Sequence, residues 1–187
     1  MKQHDATLLA AAGNGDVDAF EQIYRVHKDD MITAAMCVLG GDGAAAEDVL
    51  HDVFIALAKR AGRLQLRDSL RNYLLTSCIN RARDILRRRV RTHDLTDGLV
   101  DERSEGMDPS GVAHLSEESA RLLETLALLP VEQREVVTLH IHGQMKFREI
   151  SQILGISINT AKSRYRYALA ALRTMLADKE MDKEKKA

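Results

Sequence analysis

The residues best suited to contact a ligand lie between positions 147 and 167. This segment predicts two helices joined by a turn at residues 155–157, where Gly155 can adopt a backbone conformation that strains other residues. On the second helix, amide, hydroxyl and cationic groups can reach phosphates and base edges in a major groove. These groups belong to Asn159, Thr160, Lys162, Ser163, Arg164, Arg166 and Tyr167. The segment predicts a DNA-binding helix-turn-helix; the alternative is a helical hairpin whose basic face is only solvated.

A second basic segment lies nearer the N-terminus. Residues 63–91 contain nine arginines and two acidic residues, Asp68 and Asp84. This density of positive charge is typical of a surface that binds a polyanion. By contrast, residues 93–118 contain one arginine and eight acidic residues, although the net charge of the whole chain is −1. The two basic segments are therefore separated by an acidic one.

The elements that must position these residues are predicted to be helices. With two prolines and 11 glycines, the chain has too few turn residues for a sandwich or barrel of many short strands. Apolar residues instead recur at helical spacing in eight segments. We expect helices at 5–12, between Asp16 and Gly40, from Asp42 to a loop near Gly62, and at 70–89, 119–129, 132–140, 147–154 and 158–178. The predicted fold is all-α, with small helical domains at 1–92 and 118–180, a flexible acidic linker at 93–117 and a charged tail at 181–187.

Several other kinds of site are not expected. His140 and His142 are two residues apart, so they do not share a helix face, and no further ligand completes a metal site. Cys37 and Cys78 lie within helical patterns and fit core packing better than redox chemistry. The sequence contains no glycine-rich phosphate loop, nucleophile motif or catalytic carboxylate pair. We therefore expect no metal, no cofactor and no enzymatic activity.

The sequence also favours one cellular compartment. Charged residues interrupt every apolar stretch well before the roughly 18 residues that a membrane-spanning helix needs. Residues 1–16 carry acidic and polar groups where a signal peptide has an unbroken apolar core. The two cysteines form no CxxC motif. We expect a cytoplasmic chain without disulfides and without membrane insertion.

The helix-turn-helix segment resembles a known family. Residues 122–176 resemble region 4 of the sigma-70 family, and in particular the short extracytoplasmic-function (ECF) class. The family pattern contains Leu-Pro, Gln-Arg-Glu, Glu-Ile-Ala and Gly-Thr-Val-Lys-Ser-Arg, which correspond here to residues 129–130, 133–135, 149–151 and 159–164. The departures from that pattern are small or polar and fit the same fold. They are Ser151, Asn159 and Ala161.

The first 92 residues carry an independent resemblance to region 2 of the same family. Residues 16–40 resemble its opening helix, 46–54 the helix that binds the polymerase clamp, and 70–89 the helix that melts and reads the −10 element. The resemblance implies polymerase contacts by Glu47, Asp48, Val49, His51, Asp52 and Phe54. Together with the positive charge of the segment, it implies contacts with the melted −10 element by Arg63, Gln65, Arg67, Ser69, Tyr73, Asn80, Arg81, Arg83, Arg87 and Arg88. Arg63, Gln65, Arg67 and Ser69 would form a loop around a flipped base.

One position departs from the region 2 pattern in a way that bears on function. The family usually has tryptophan where this chain has Tyr73, and the chain contains no tryptophan. A tyrosine can still stack on an unpaired base, so the resemblance remains compatible with melting. Packing of Tyr73 in the core is the alternative.

The resemblance implies an ECF sigma factor that binds core RNA polymerase, directs it to promoters and helps to melt the −10 element. The implied partners are the β′ clamp helices and the β flap of the polymerase, promoter DNA, and an anti-sigma factor. The acidic linker would take the place of region 3, either along the RNA exit path or simply in solvent. The alternatives are a stand-alone helix-turn-helix transcription regulator and a helical adaptor that does not bind DNA.

Overall fold

The computed structural model describes residues 2–66, 69–95 and 117–184, and the side chains of residues 4–66, 69–92 and 118–177. All regular elements in these ranges are helices, which confirms the predicted all-α class. The α-helices are α1 (Lys2–Gly13), α2 (Val17–Leu39), α3 (Gly43–Arg60), α4 (Leu70–Leu95), α5 (Glu117–Ala127), α6 (Val131–Val137), α7 (Phe147–Leu154) and α8 (Ile158–Glu184). A 3₁₀ turn at Ala61–Arg63 follows α3, and a π-helical turn at Thr138–His142 follows α6.

The chain divides into two units. The N-terminal unit comprises Met1–Met36 and Ala44–Arg103, and the C-terminal unit comprises Cys37–Gly43 and Ser104–Ala187. Within the described residues, the first unit contains α1, most of α2, α3 and α4, and the second contains α5 to α8. The two groups of candidate residues therefore belong to different units.

The core of the N-terminal unit consists of apolar residues that recur at helical spacing along α2, α3 and α4. The most deeply buried of them are Ile23, Met31, Val49, Leu57, Leu70, Leu74, Leu75 and Ile79. Phe54 adds aromatic contacts, because its ring centroid lies 4.9 Å from that of Tyr24 and 6.2 Å from that of Phe20. This packing fixes which faces of α3 and α4 remain available to a partner.

α2 begins as the sequence predicts. The Oδ1 atom of Asp16 accepts a hydrogen bond of 3.0 Å from the backbone N–H of Ala19. An acceptor at this position satisfies one of the backbone donors that the first helical turn leaves unpaired. Asp16 therefore caps α2.

α4 is longer than predicted. We expected it to end at Arg87–Arg89, but it continues to Leu95 and so includes the first three residues of the predicted linker. The Arg91 and Thr92 side chains donate hydrogen bonds of 3.4 Å and 3.0 Å to carbonyl oxygens four residues earlier in the helix. No glycine or proline interrupts the sequence before Gly98, so nothing ends the helix at the arginines. The linker residues 96–116 lie outside the described residues.

The C-terminal unit has its own apolar cluster. It is formed by Leu126, Leu129, Val137, Ala168 and Leu172. These residues come from α5, the turn after it, α6 and α8, so the cluster joins the long last helix to the helices that precede it. α8 also continues to Glu184, where we expected fraying after residue 178. Lysine, glutamate and methionine dominate residues 179–184 and favour a helix.

The predicted helix at 132–140 is shorter than expected and changes its hydrogen-bond pattern. α6 ends at Val137, and the π-helical turn follows it. The Gly143 N–H donates to the Thr138 oxygen at 2.9 Å, five residues back, which is the spacing of a π turn. A Cβ on Gly143 would lie 2.5 Å from the Leu139 carbonyl oxygen, so this close approach requires glycine. The apolar period of this segment does not distinguish an α turn from a π turn.

Candidate nucleic-acid interface

The turn between α7 and α8 has the geometry of a helix-turn-helix. α7 has the predicted bounds, and Gly155 ends it with φ of 66°, a left-handed conformation that glycine adopts without strain. The backbone N–H of Ile156 donates to the Ser151 carbonyl oxygen at 3.0 Å, which closes the turn. Ile150 and Ala161 are fully buried, so the two helices share a small core. α8 is thereby fixed relative to α7.

A serine caps the start of α8. The Oγ atom of Ser157 accepts a hydrogen bond of 2.9 Å from the Thr160 N–H and lies 2.8 Å from the Thr160 hydroxyl oxygen. This arrangement satisfies a free backbone donor at the helix start and occupies the Thr160 side chain. The predicted base-contacting residue Thr160 is therefore also part of the cap.

The predicted recognition residues lie on the side of α8 opposite its buried alanines. Ala161 and Ala168 face the core and are fully buried. Asn159, Thr160, Lys162, Arg166 and Tyr167 are exposed, and Ser163 and Arg164 are half-buried. The guanidinium carbon of Arg166 lies 5.2 Å from the ring centroid of Tyr167, within the range of a cation–π contact.

The charges of this face are not neutralised within the described part of the chain. None of its basic side chains forms an ion pair with a described acidic residue; these side chains are Lys162, Arg164, Arg166 and Arg173. Between Ile158 and Ala177 the helix contains no acidic residue. The face therefore presents several positive charges that phosphates can neutralise.

Tyr165 of α8 belongs to an aromatic cluster that was not predicted from the sequence. The ring centroid of His140 lies 4.3 Å from that of Phe147 and 4.6 Å from that of Tyr165. The His140 Nδ1 lies 2.8 Å from the Met145 carbonyl oxygen, which can only accept, so Nδ1 carries the proton. His140 thus packs as an aromatic residue, and no local pattern connects three residues so far apart in sequence.

Only part of the segment before α4 lies among the described residues. Arg63 and Gln65 are exposed, and Arg67 lies outside the described residues. Ser69 caps α4, because its Oγ accepts a hydrogen bond of 3.2 Å from the Asn72 N–H. Ser69 was predicted to face a flipped base, whereas its hydroxyl here contributes to helix initiation.

The predicted DNA-contacting residues of α4 differ in their exposure to solvent. Asn80, Arg87 and Arg88 are exposed, as is the neighbouring Arg89. Tyr73 and Arg83 are half-buried. Both alternatives for Tyr73, stacking on an unpaired base and packing in the core, stay predictions.

Arg81 has a partner within the unit that the sequence did not predict. We predicted it to bind DNA phosphates, and we predicted Asp52 to contact the polymerase, but the two side chains form an ion pair. The Arg81 Nε donates to the Asp52 Oδ2 at 2.7 Å, and a second guanidinium nitrogen donates to the same oxygen. α3 and α4 bring these residues together across 29 positions, so the charge of Arg81 is already partly neutralised.

A second ion pair holds the first turn of α4. The Arg71 Nε lies 2.6 Å from the Asp30 Oδ2 on α2. Asp5 and His27 are also buried in this unit, with 8% and 7% of their surfaces exposed. Burial lowers the pKa of the His27 imidazole below its ordinary value, while the charges of Asp5 and Asp30 act in the opposite direction. The sequence reading had assigned no role to this polar cluster.

The predicted polymerase-binding residues of α3 divide between surface and core. Glu47, Asp48 and His51 are exposed, and Asp52 is half-buried in its ion pair. Two of the predicted residues, Val49 and Phe54, are 0% and 4% exposed and pack in the core.

One exposed apolar residue of α3 was missed. Ile55 is 51% exposed. It follows His51 by four positions and Asp52 by three, so the three residues share a face of the helix. The helical spacing that places Val49, Val53 and Phe54 in the core leaves Ile55 outside it, so the sequence contains a signal for its exposure.

Two kinds of site are absent from the part of the chain that the structure describes. It contains no group of three or more histidine, cysteine, aspartate or glutamate side chains able to hold a metal ion. It also contains no helix with the length and hydropathy needed to cross a membrane.

Comparisons with known proteins follow the same division of the chain. Residues 23–92 match the family described as Sigma-70 region 2, and residues 119–172 match Sigma-70, region 4. An RNA polymerase sigma-E factor of Streptomyces coelicolor is 31% identical over 171 residues, which cover 90% of this chain and 92% of the relative. The ECF RNA polymerase sigma factor SigK of Mycobacterium tuberculosis is 30% identical over 179 residues, with 92% of each chain covered.

Solved structures show the same fold. The chain is similar to CnrH, solved in complex with the cytosolic domain of CnrY, with a TM-score of 0.65 and 27% identity over 94% of this chain and 98% of that one. It is also similar to the sigma factor RpoE in complex with the anti-sigma factor NepR from Bartonella quintana. That match has a TM-score of 0.68 and 23% identity over 86% of this chain and 98% of that one.

The fold and the two matched regions define a bacterial-type transcription initiation factor. The chain belongs to the ECF class of the sigma-70 family of RNA polymerase sigma factors. As a sigma factor it binds core RNA polymerase and directs it to promoter DNA.

Proposed function

We propose that the two units divide promoter recognition between them. The C-terminal unit reads the −35 element with α8, and the N-terminal unit binds the polymerase through α3 and opens the −10 element with α4 and the segment before it. The observation that supports this most directly is the unneutralised basic face of α8, positioned by the Gly155 turn and the buried Ala161.

The residues of the −35 contact follow from the exposed face of α8. Asn159 and Lys162 lie in its first turns and are exposed, where side chains of a recognition helix reach base edges. Arg166 lies further along the helix and fits a phosphate contact. Arg164 is half-buried, so we assign it to the flanking backbone rather than to the bases.

The −10 contact follows from the exposed residues of α4 and the segment before it. Arg63 and Gln65 precede the helix, and Asn80, Arg87 and Arg88 are exposed along it. Cationic groups at both ends of this surface fit the phosphates of a separated strand. The partly exposed Tyr73 fits stacking on one unpaired base.

The polymerase contact is assigned to the exposed part of α3. Glu47, Asp48, His51 and Ile55 are exposed there. An acidic surface repels DNA and fits a basic protein partner such as the β′ clamp helices. The exposed isoleucine adds apolar area at the centre of such a contact, where binding energy concentrates.

Further roles come from the family and are part of the same proposal. We infer that the protein acts in the cytoplasm, where the polymerase and the chromosome are, and that it has no catalytic activity of its own. The complex of RpoE with the anti-sigma factor NepR supports an anti-sigma factor as a further partner of this chain.

A reconstituted transcription assay tests the proposed function. Purified core RNA polymerase is incubated with a library of promoter fragments, with and without this chain. We expect specific transcripts only when the chain is present, because core polymerase alone does not select promoters. Specific transcripts that form equally without the chain would contradict this function. Promoter binding by the chain that is the same with and without core polymerase would favour a stand-alone DNA-binding regulator.

The contact with polymerase has a sharper test in Asp48. Asp48→Arg reverses an exposed charge on α3 without disturbing the ion pair of Asp52, so we expect a loss of core polymerase affinity of at least tenfold. The matched control is Glu21→Arg on α2, also exposed and acidic. Equal affinities of both variants for core polymerase, measured by fluorescence anisotropy, would exclude this surface.

A further inference from the structure

α1 precedes the segment that matches the region 2 family model. That match begins at residue 23, whereas α1 spans Lys2–Gly13. α1 nevertheless contacts the 3₁₀ turn Ala61–Arg63 and α4 within the N-terminal unit. It therefore packs directly against the segment to which we assign contact with the opened −10 element.

The contact between α1 and the 3₁₀ turn is a close approach of two glycines. A Cβ on Gly13 would lie 2.5 Å from the Gly62 backbone nitrogen and 2.9 Å from the Ala61 carbonyl carbon. A Cβ on Gly62 would lie 3.1 Å from the Gly13 oxygen. Backbone packs against backbone here, so a side chain at Gly13 must displace the turn.

Glycine at position 13 is unfavourable for the stability of α1, and the contact with Gly62 explains why glycine is needed there. Gly13 is the last residue of α1, and its backbone does not adopt a left-handed conformation. Glycine favours a helix less than alanine does. The local backbone therefore offers no reason for glycine, and the close approach to Gly62 does.

The other end of α1 reaches the polar cluster that holds the start of α4. Asp5 is buried, and its charge acts on His27 of α2. Also on α2, Asp30 pairs with Arg71 in the first turn of α4. α1 thus packs against the 3₁₀ turn through Gly13, contacts α4, and carries Asp5 near the polar cluster.

Beside the Gly62 contact the packing is incomplete. Leu9 and Ala10 of α1, together with Gly62, Leu64 and Leu66, line an open cavity of about 310 Å³. Close packing therefore does not hold residues 64–66 against α1 along their whole length. The contact at Gly62 is the fixed point nearest to the exposed Arg63 and Gln65.

We propose that α1 is a positioning element for promoter opening, and that Gly13 places Arg63 and Gln65 where they meet the separated −10 strand. The inference rests on the proposed role of the segment before α4. Gly13 touches no DNA; it acts through Gly62, whose displacement moves the adjacent Arg63. Correct placement of such contacts matters because errors of about 1 Å can reduce rates by up to 10²-fold.

Gly13→Ala tests this in the holoenzyme. Open complexes on a duplex promoter are measured by permanganate reactivity, and stable complexes on the same promoter with a mismatched, already separated −10 element are measured by filter binding. We expect about tenfold to 100-fold fewer open complexes on the duplex and a deficit within about twofold on the separated template. Core polymerase affinity is expected to stay within about twofold of wild type.

A purely structural role gives a different pattern. Partial unfolding would lower activity on both templates by the same factor, so equal deficits would overturn the proposal. Wild-type activity on both templates for Gly13→Ala would overturn it as well. Failure of the wild-type chain to open the duplex promoter would instead refute the proposed function itself.

Two further variants keep the test decisive if Gly13→Ala is poorly folded. Gly62→Ala creates the milder approach of 3.1 Å from the opposite side, so we expect the same template dependence with a smaller deficit. Ala58→Ser adds one atom at an exposed position of α3 and serves as the control. A Gly62→Ala variant that folds, as judged by its thermal melt, and opens duplex promoters like the control would contradict the proposal.

Discussion

Two basic helices, α4 in the N-terminal unit and α8 in the C-terminal unit, differ in how their charges are used. On α4, Arg71 and Arg81 pair with acidic residues of α2 and α3. On α8, the basic side chains from Lys162 to Arg173 form no ion pair with any described residue. One helix thus uses part of its charge to hold its unit together, while the other leaves its charge for a ligand.

This difference fits the two forms of DNA that the helices are proposed to meet. Duplex DNA has a high and regular charge density, so a helix with unpaired cations gains affinity through release of counterions. A separated strand is irregular, and its capture depends more on precise placement and stacking. A helix held by ion pairs and by a serine cap is suited to the second task.

The largest expected effect is a loss of binding to the −35 duplex when the basic side chains of α8 are removed. Replacing Lys162, Arg164 and Arg166 together by alanine should weaken holoenzyme binding to a duplex that carries only the −35 element. The expected loss is about 100-fold at low salt, and the slope of log K against log salt should fall by about 2 to 3. Binding titrations at several salt concentrations measure both quantities.

The corresponding variant of α4 provides the contrast. Replacing Arg87, Arg88 and Arg89 by alanine should leave −35 duplex binding within about threefold and reduce open complexes instead. If both triple variants changed the salt slope on the −35 duplex equally, the proposed division between the helices would be wrong.

The next effect concerns helix initiation, where the two units use the same chemistry. Ser157 and Ser69 each accept a hydrogen bond from a backbone N–H three residues later, at 2.9 Å and 3.2 Å. Replacing either serine by alanine should lower the free energy of unfolding by about 1 kcal/mol, with the larger loss for the shorter bond. Denaturant titrations of both variants measure this.

Serine-to-glycine variants at the same positions are the controls. Glycine is tolerated at a helix start, so each should lose only a few tenths of a kcal/mol relative to wild type. Equal losses for alanine and glycine would show that the hydroxyl groups do not cap the helices.

The sequence was a good guide to these local features and a poor guide to contacts between distant residues. α7 was predicted with its observed bounds, because its hydrophobic spacing and Gly155 are both local signals. The resemblance to regions 2 and 4 gave the family correctly. The two ion pairs of α4 were missed because they join residues 29 and 41 positions apart.

A smaller effect is expected for the ion pair of Asp52 and Arg81, which was not predicted from the sequence. A double-mutant cycle with Asp52→Asn and Arg81→Gln should give a coupling free energy of about 0.2 to 1 kcal/mol, typical of a partly exposed pair. Thermal or denaturant unfolding of the four proteins measures it. The same single change, Arg81→Gln, should affect promoter opening less than the triple change at the end of α4.

No coupling between the two residues would leave Arg81 available for DNA, as we first predicted. That outcome would make α4 resemble α8 and remove the contrast between the helices. A matched control is the exposed pair of Glu21 and Arg25, 3.9 Å apart on α2, for which we expect weaker coupling.

The smallest effect is a dependence of stability on pH. Burial lowers the pKa of His27, so the unfolded chain binds the proton more readily than the folded one. The resulting stabilisation is complete above the ordinary histidine pKa of 6.5 and decreases as pH falls below it. The change is small because Asp5 and Asp30 oppose the effect of burial. His27→Gln should flatten the curve of melting temperature against pH between 7 and 5.

Burial divides the predicted polymerase-binding residues into two groups. Val49 and Phe54 belong to a helix with an acidic surface, but their positions along it face the core. Ile55 shows the reverse, since it is apolar and exposed. Composition identifies the helix that carries a site, whereas the packing of neighbouring helices decides which of its residues reach the surface.

Cys78 gives the N-terminal unit an internal probe of its own opening. Its thiol is fully buried in α4, and burial raises its pKa to about 12. Only the thiolate reacts quickly with alkylating reagents, so Cys78 can be modified only after the surrounding helices separate. The rate of its labelling, followed by mass spectrometry of the α4 peptide, therefore reports how often this unit opens under native conditions. The labelling rate of Cys78 can therefore be compared with and without bound polymerase, and no engineered reporter is needed.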